Sequence, residues 1–228
     1  MRQHKLALCA EHFSAWIFHN TARAIKKYRM IAPGERVLVA VSGGKDSLAL
    51  WDVLLRLGYR ADGLYINLGI DSGLAYSARS QAKAEAFAAQ RTAQFPETRL
   101  FVVDLPGQYG ESIPQLATRK RREARPCSLC GLVKRHEMNR MAVELGYDVL
   151  ATGHNLDDEV ATLFGNVMRW QTGYLVRQDP ALPADGEGLA RKIKPFCRIY
   201  ERETAAYAIL QGIDYIEEEC PYAKGATS

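Results

Sequence analysis

The sequence at residues 36–47 reads Arg-Val-Leu-Val-Ala-Val-Ser-Gly-Gly-Lys-Asp-Ser and continues into apolar residues at helical spacing. Its uninterrupted apolar run at residues 37–41 is typical of a strand that is buried on both faces of a parallel sheet. The small residues 42–44 end that run and allow a tight turn into the following helix. Because ligands of parallel α/β sheets bind beyond the carboxyl ends of the strands, we expect a site at this turn.

Strands and helices alternate along most of the remaining chain. Besides residues 36–41, the pattern predicts strands at residues 61–68, 99–104, 147–152, 192–196 and 214–216. It predicts irregular segments at 106–126 and 171–190, and helices at 11–30, 47–58, 75–92, 130–145, 157–167 (capped by Asp157) and 201–211. This alternation predicts an α/β fold with a doubly wound parallel sheet. Residues 33–228 are expected to form the main domain, and residues 1–32 a helical N-terminal extension.

The composition is that of a globular protein. Of the 228 residues, 47% are hydrophobic and 25% are charged, which excludes the disordered and fibrous classes. No apolar run approaches the roughly 20 residues of a membrane span. The basic start is interrupted by Glu11 and His12 and is followed by no small-residue cleavage site, so it is not a secretory signal. We therefore expect a cytoplasmic protein without membrane contact, whose net charge of +4 permits a polyanionic partner.

Residues 42–47 have the composition of a phosphate-binding loop. Backbone N–H groups between a strand and a helix converge on anions, and two glycines let phosphate oxygens approach closely. A Walker A loop is excluded because Asp46 follows Gly-Lys where Ser or Thr is required. Asp46 predicts a Mg²⁺ ion between its carboxylate and the phosphates, with a helix cap as the structural alternative. The hexapeptide resembles the PP-loop of the ATP pyrophosphatase superfamily, which implies cleavage of ATP between its α and β phosphates and transfer of AMP to a substrate oxygen.

A second acidic segment at residues 151–159 reads Ala-Thr-Gly-His-Asn-Leu-Asp-Asp-Glu and follows a predicted strand. Acidic residues are common at helix N-termini, which is the structural explanation. If the two strand ends lie side by side, Asp46 and Asp158 form a Mg²⁺ site or an acid-base pair. Gly153 and His154 also match positions that the superfamily places against the nucleotide.

The five cysteines are an odd number in a chain without a secretory signal, so we expect reduced thiols that act as ligands or nucleophiles. Residues 127–130 form a Cys-x-x-Cys pair that suits a redox pair, half a zinc site or part of an iron-sulfur site. Cys9 and His12 have half-zinc spacing, so a zinc site with three cysteines and one histidine is one alternative. Cys220 is a further ligand that the fold can bring in, whereas Cys197 is expected in the core.

Four segments together resemble the tRNA 2-thiouridine sulfurtransferases. They are residues 42–47, 127–135, 151–159 and 219–224, which stand in the order and spacing of that family. The similarity spans residues 5–228 and is strongest to the branch that thiolates the ribothymidine of the T-loop in thermophiles, with cytosolic wobble-uridine thiolases as relatives.

The resemblance implies a cofactor and a set of site residues. It implies a 4Fe-4S cluster held by Cys127, Cys130 and Cys220, with one iron free to accept a sulfur species. It implies catalytic roles for Asp46, Lys134 and Asp158, although a solvated helix lysine is the structural alternative for Lys134. The ATP-binding residues that it implies are Ala40, Ser42, Gly43, Gly44, Lys45, Asp46, Ser47, Ile66, Gly153 and His154.

The resemblance also implies tRNA, a sulfur donor and a homodimer as partners, the donor being a ubiquitin-like thiocarboxylate or sulfide. The positive charges suited to tRNA phosphates are Arg119, Lys120, Arg121, Arg122 and Arg125. A solvated basic loop explains these charges equally well. Family members carry two zinc fingers, of which only Cys9 and His12 are present here, so we expect either a trimmed chain or a member without fingers and leave Zn²⁺ open.

The leading hypothesis is an ATP-dependent tRNA sulfurtransferase. In it, the uridine O2 attacks the α-phosphate of ATP, pyrophosphate leaves, and sulfur delivered through the cluster replaces the oxygen to give 2-thiouridine. A second hypothesis is another PP-loop ligase, such as a tRNA lysidine or amide-forming synthetase, which has no need of a cluster. A third is a zinc-stabilised, non-catalytic tRNA-binding protein.

Overall fold

A six-stranded sheet forms the centre of the protein in the computed structural model, which describes residues 4–71, 73, 75–119, 126–184 and 189–223. Its strands are β1 (Arg36–Val41), β2 (Arg60–Asn67), β3 (Leu100–Asp104), β4 (Val149–Thr152), β5 (Ala181–Leu182) and β6 (Arg191–Ile193). Their order across the sheet is β3-β2-β1-β4-β6-β5, and only the β5–β6 pair is antiparallel. The predicted α/β fold with a largely parallel sheet is therefore confirmed.

Helices cover both faces of the sheet. They are α1 (Ala10–Lys27), α2 (Lys45–Arg56), α3 (Tyr76–Thr92), α4 (Leu105–Tyr109), α5 (Ile113–Arg119), α6 (Pro126–Glu144), α7 (Leu156–Met168), α8 (Thr172–Leu175) and α9 (Glu201–Leu210). Among the described residues, no helix combines the length and the apolar character that a membrane span needs.

The central strand β1 is buried on both sides, which explains its uninterrupted apolar sequence. Val37 and Val39 pack on one face in a cluster that includes Leu48 of α2. Leu38 faces the other way and packs in a second cluster that includes Ala142 of α6. Each residue of the run therefore removes apolar surface from water, so a polar side chain at these positions would be costly.

Helix α1 packs against the core of the sheet domain. Its buried residues Phe13, Ile17 and Ile25 belong to the same apolar cluster as Leu48, and the helix contacts α2 and α9. The division of the chain into residues 1–32 and 33–228 stays a prediction.

The direction of strand order reverses between β1 and β4. Strands β2 and β3 follow on one side of β1, whereas β4 lies on its other side and pairs with it in parallel. Ala40 lies opposite Thr152, so the two strands end together. The crevice beyond such paired ends is the usual ligand site of this architecture.

Three segments differ from the sequence predictions. Residues 106–119, expected to be irregular, contain α4 and α5. Pro106 and Pro114 stand in the first turns of these helices, where a backbone N–H has no partner within the helix, so the missing N–H of proline costs nothing. Residues 171–190, also expected to be irregular, include α8 and β5. The strand predicted at residues 214–216 is wrong: this segment passes the turn after β1, where the backbone N–H of Ile216 donates to the carbonyl of Gly43 at 2.9 Å.

Candidate active site

The turn between β1 and α2 (residues 42–47, here called the glycine loop) holds its shape through its own hydroxyl groups. Ser47 Oγ accepts a hydrogen bond from the backbone N–H of Ser42 at 3.1 Å and donates to the carbonyl of Gly44 at 3.0 Å. Gly44 is the N-cap residue of α2 and has no side chain with which to cap it. The first-turn N–H groups of α2 are therefore left for an anion.

Two glycines allow backbones to approach at this site. Gly43 has a φ of +77°, and a Cβ atom there would lie 2.4 Å from the carbonyl oxygen of Ser80. A Cβ atom at Gly153 would lie 2.9 Å from the backbone nitrogen of Ser47 and 3.0 Å from the carbonyl carbon of Asp46. The end of β4 thus lies directly against the first turn of α2, and only glycine fits there.

The Asp46 carboxylate is held by groups from three parts of the chain. Its Oδ1 accepts hydrogen bonds from Asn155 Nδ2 at 3.4 Å and from the hydroxyl of Thr204. Its Oδ2 lies 3.2 Å from Lys45 Nζ. The Asp46 side chain is 26% exposed, so a cation can still reach it. An accessible carboxylate beside a phosphate loop is a suitable Mg²⁺ ligand.

Asp158 participates in the cap of α7. Asn155 is the N-cap residue: its Oδ1 accepts from the backbone N–H of Asp158 at 3.1 Å, and its own N–H donates to Asp158 Oδ2 at 3.0 Å. The expectation that Asp157 caps α7 is wrong, since Asp157 Oδ2 instead accepts from the backbone N–H of Glu201 at 2.7 Å. Buried Asn155 contacts both carboxylates, and so connects Asp46 to Asp158.

Lys45 is held by two carboxylates. Its Nζ lies 2.8 Å from Glu201 of α9 as well as 3.2 Å from Asp46. Burial lowers the pKa of Lys45, but these two ion pairs outweigh burial and raise the pKa above its usual value. The lysine is therefore fully charged at neutral pH and supplies positive charge beside the loop.

A cavity of about 110 Å³ lies next to the glycine loop. It brings together three of the predicted ATP-binding residues and the predicted catalytic lysine, namely Ala40, Ser42, Ile66 and Lys134. Tyr76 also borders it, and burial raises the pKa of this phenol, with Cys220 and Cys130 adding to the rise. The cavity therefore lies between the end of β1 and α6, and Tyr76 on its wall is close enough to Cys130 and Cys220 to interact with them electrostatically.

Cys127, Cys130 and Cys220 lie near one another. Cys127 Sγ donates to the carbonyl of Tyr222 at 3.1 Å, which ties the start of α6 to the segment containing Cys220. Burial raises the pKa of the Cys130 thiol; Lys134 opposes this rise, and Cys220 and Cys127 add to it. In the described part of the chain no three His, Cys, Asp or Glu side chains surround one point closely enough for a single metal ion. Ligands of a four-iron cluster bind different irons and are spaced more widely, so three neighbouring thiols fit such a cluster.

The predicted zinc residues form a pair of their own. Cys9 Sγ lies 3.0 Å from His12 Nδ1, and both side chains are exposed. The backbone N–H and the imidazole of His12 lower the pKa of Cys9, while Cys9 raises the pKa of His12. The N-terminal zinc motif is not confirmed, because no described third ligand joins this pair.

Other predicted residues lie apart from the cavity. Exposed His154 has its Nδ1 2.8 Å from the hydroxyl of Thr152. Arg119, predicted to contact tRNA, is exposed and forms an ion pair with Glu111. Its companions lie outside the described residues: Lys120, Arg121, Arg122 and Arg125. Cys197 is buried in the core, as expected.

Sequence reasoning missed three residues of this site: Asn155, Glu201 and Thr204. Asn155 could have been found, because Asn-x-x-Asp before an apolar helix is a capping-box pattern. Glu201 and Thr204 begin a helix far along the chain, and no local pattern shows that they reach the glycine loop.

The chain is similar to known proteins over nearly its whole length. The profile of the PP-loop domain family matches residues 17–224. A tRNA-5-methyluridine(54) 2-sulfurtransferase from Thermus thermophilus is 55% identical over 228 residues, which cover 100% of this chain and 68% of that protein. Cytoplasmic tRNA 2-thiolation protein 1 from Drosophila ananassae is 33% identical over 96% of this chain and 63% of that protein.

A solved structure shares the fold. The U34-tRNA thiolase NcsA from Methanococcus maripaludis, described with its 4Fe-4S cluster, matches with a TM-score of 0.79 at 23% identity, over 94% of this chain and 69% of that chain. With the profile match and the Thermus relative, these findings show that the chain belongs to the PP-loop domain family and, within it, to the tRNA-5-methyluridine(54) 2-sulfurtransferases.

Proposed function

We propose that the protein activates the 2-oxygen of a tRNA uridine with ATP and replaces it with sulfur. One observation carries this proposal: a single cavity is bordered by Ser42 of the glycine loop and by Lys134 of α6, the helix that also contains Cys127 and Cys130. The name of the Thermus relative points to 5-methyluridine at position 54 as the substrate, because the 55% identity extends over the whole chain.

ATP is proposed to bind with its phosphates at the glycine loop. The first-turn N–H groups of α2 suit pyrophosphate, because fixed dipoles stabilise the charge of this leaving group without reorganising. Ala40 and Ile66 offer apolar surface to the nucleoside along the cavity wall. Asp46, whose carboxylate is accessible, would hold Mg²⁺ between itself and the phosphates.

Lys134 and Asp158 are proposed to act on the reacting groups. Lys134 is half-buried at the cavity, where its ammonium would balance the negative charge that develops on the α-phosphate as the uridine O2 attacks. Asp158 uses Oδ2 in the cap of α7. Its other oxygen would be available to Mg²⁺ or to a proton of the attacking group.

Cys127, Cys130 and Cys220 are proposed to hold a 4Fe-4S cluster like the one described for NcsA. The chemistry of the donor set supports this, since three thiols near one another suit iron-sulfur ligation. Such a cluster would supply iron that can bind a sulfur species and present it to the activated uridine. Lys134 lies one helical turn after Cys130, on the same face of α6. A uridine activated beside Lys134 would therefore lie on the side of α6 that carries the cysteines.

The remaining partners are proposed from charge and ligand chemistry. The donor of sulfur would be sulfide or a ubiquitin-like thiocarboxylate, and Arg119 with its basic companions would contact tRNA phosphates. Cys9 and His12 would offer two ligands to Zn²⁺. The 33% identity to a cytoplasmic tRNA thiolation protein supports a cytoplasmic location.

A homodimer is proposed from an exposed apolar surface on α7 and α8. No residue of α7 is buried, and the exposed side chains are Val160, Leu163, Phe164, Val167, Met168 and Tyr174. Exposed apolar side chains grouped on one helix face are typical of protein–protein interfaces. Light scattering is expected to show a dimer for the wild type and a monomer for Phe164→Glu; a monomeric wild type would refute the dimer.

The function is tested by anaerobic reconstitution with iron and sulfide, incubation with tRNA, Mg²⁺, ATP and sulfide, and mass spectrometry of the digested nucleosides. We expect 2-thio-5-methyluridine with the wild type and with Lys26→Ala, an exposed lysine of α1, but not with Lys134→Ala. Iron-loaded protein that binds ATP but thiolates no tRNA would overturn the proposal. If the protein consumes ATP and modifies tRNA without iron, another PP-loop ligase is favoured instead.

A further inference from the structure

The start of α9 lies against the glycine loop, although the two are far apart in sequence. Glu201 Oε1 lies 2.8 Å from Lys45 Nζ, and the hydroxyl of Thr204, 158 positions after Asp46, contacts Asp46 Oδ1. The adjoining backbone is fixed to α7, because the N–H of Leu156 donates to the carbonyl of Ile199 at 2.8 Å. The start of α9 is therefore held beside Asp46 by contacts with α2 and α7.

The Thr204 hydroxyl has one proton and two acceptors within reach. One acceptor is Asp46 Oδ1, and the other is the carbonyl of Glu201 at 2.8 Å, within the same helix. An ionised carboxylate cannot donate, so the contact with Asp46 requires Thr204 to be the donor. A hydrogen bond to a charged acceptor is also the stronger of the two. Because Thr204 is only 1% exposed, bulk water does not compete for its hydroxyl proton.

We propose that Thr204 is a positioning residue that orients the Asp46 carboxylate for Mg²⁺. By holding Oδ1, the hydroxyl fixes the carboxylate plane and leaves Oδ2 on the side of Lys45. Asn155 Nδ2 approaches the same Oδ1, but at 3.4 Å this is a weak hydrogen bond, and Asn155 is also engaged as the cap of α7. Of the two groups that contact Oδ1, Thr204 therefore provides the stronger restraint.

This inference rests on the proposed function only in assuming that Asp46 meets Mg²⁺ and ATP. It is tested with three variants: Thr204→Val, which removes the hydroxyl at nearly constant volume; Thr204→Ser, which keeps it; and Thr204→Ala, which removes it without adding a methyl group. Thr21→Val is the matched control, because Thr21 is fully buried and its hydroxyl has no hydrogen-bond partner among the described residues.

Mg²⁺ is titrated into each protein with an α,β-methylene analogue of ATP, and bound nucleotide is measured by calorimetry. Without the hydroxyl, we expect the Mg²⁺ concentration for half-maximal binding to rise about tenfold, as for loss of one charge-assisted hydrogen bond. Thr204→Ser is expected to stay within about twofold of the wild type. If Thr204→Val does not fold in a thermal scan, Thr204→Ala provides the comparison.

The inference is overturned if the hydroxyl-free variants bind like the wild type, or if Thr204→Ser is as defective as Thr204→Val, which would mean that packing alone matters. Because the readout uses neither tRNA nor sulfur, it separates this inference from the proposed function. Thiolation can fail in the wild type while Mg²⁺-dependent binding still depends on Thr204. A wild type that binds no nucleotide would overturn both.

Discussion

Substitution of Gly153 by alanine tests whether the contact between β4 and α2 sets the geometry of the nucleotide site. The added Cβ would lie 2.9 Å from the nitrogen of Ser47 and 3.0 Å from the carbonyl carbon of Asp46, whereas ordinary contacts begin at 3.4 Å. These neighbours are backbone atoms, so the first turn of α2 must move by about half an ångström instead of rotating a side chain away. The displaced atoms belong to the loop proposed to hold the phosphates.

Two consequences of this displacement are expected. Overpacking of this size costs about 1–3 kcal/mol of unfolding free energy, which corresponds to a fall of about 2–12 °C in melting temperature for a domain of this length. The first-turn N–H groups of α2 move with this backbone, and loss of one hydrogen bond to a charged phosphate, about 1.5 kcal/mol, is expected to weaken ATP binding by about tenfold.

The assay is calorimetric titration of Mg²⁺ and the ATP analogue, together with a thermal scan of each variant. Gly173→Ala is the matched control, because no described atom outside its own helix backbone and chain neighbours lies within 4 Å of the Cβ position there. We expect the control to bind nucleotide like the wild type. If Gly153→Ala also binds like the wild type, the close approach of β4 and α2 does not control the site and the reasoning is refuted.

Three further predictions concern the cysteines and the core. Cys220→Ser is expected to remove the broad visible absorption of anaerobically reconstituted protein, whereas Cys197→Ala retains it because Cys197 is in the core; identical spectra would contradict the cluster ligands. Asp52→Asn removes the charge of a fully buried carboxylate that lies 2.6 Å from Arg91 and accepts a hydrogen bond from Tyr207. Because buried Arg91 loses this ion pair, the unfolding free energy measured in urea is expected to fall by about 3–5 kcal/mol. Burial raises the pKa of Cys197 to about 11. The unfolded thiol ionises first, so Cys197 should contribute about 2 kcal/mol to the fall in unfolding free energy between pH 9 and pH 11, and Cys197→Ala should make that fall smaller by this amount.

The parts of the fold that were predictable are those where one physical cause dominates. The bounds of β1 follow from an apolar run that only burial on both faces explains, and the glycines after it mark the end of the strand. The segment around Pro106 was not predictable in the same way. Proline interrupts a helix interior but is favoured in a first turn, and composition does not distinguish these two positions.

The site was predictable only as far as its two strand ends. The pattern indicated that Asp46 and Asp158 follow strands that can lie side by side, and β1 and β4 do pair. It gave no sign of Thr204, because the spacing of apolar residues in α9 shows which face is buried but not which neighbour it meets. Nor did it show that Asn155 stands between the two carboxylates, since this contact depends on how closely β4 approaches α2.

Three helix N-termini converge on this crevice, and the structure distinguishes among them. The N-terminus of α7 is closed by Asn155 and Asp158. That of α9 is closed by acidic side chains, since Glu203 accepts from the N–H of Tyr200 at 3.0 Å and Asp157 accepts from that of Glu201. An anion at either would have to displace a carboxylate. Helix α2 begins at a glycine and has no such cap. The N-terminus of α2 is therefore the positive helix end that is open to the phosphates of ATP.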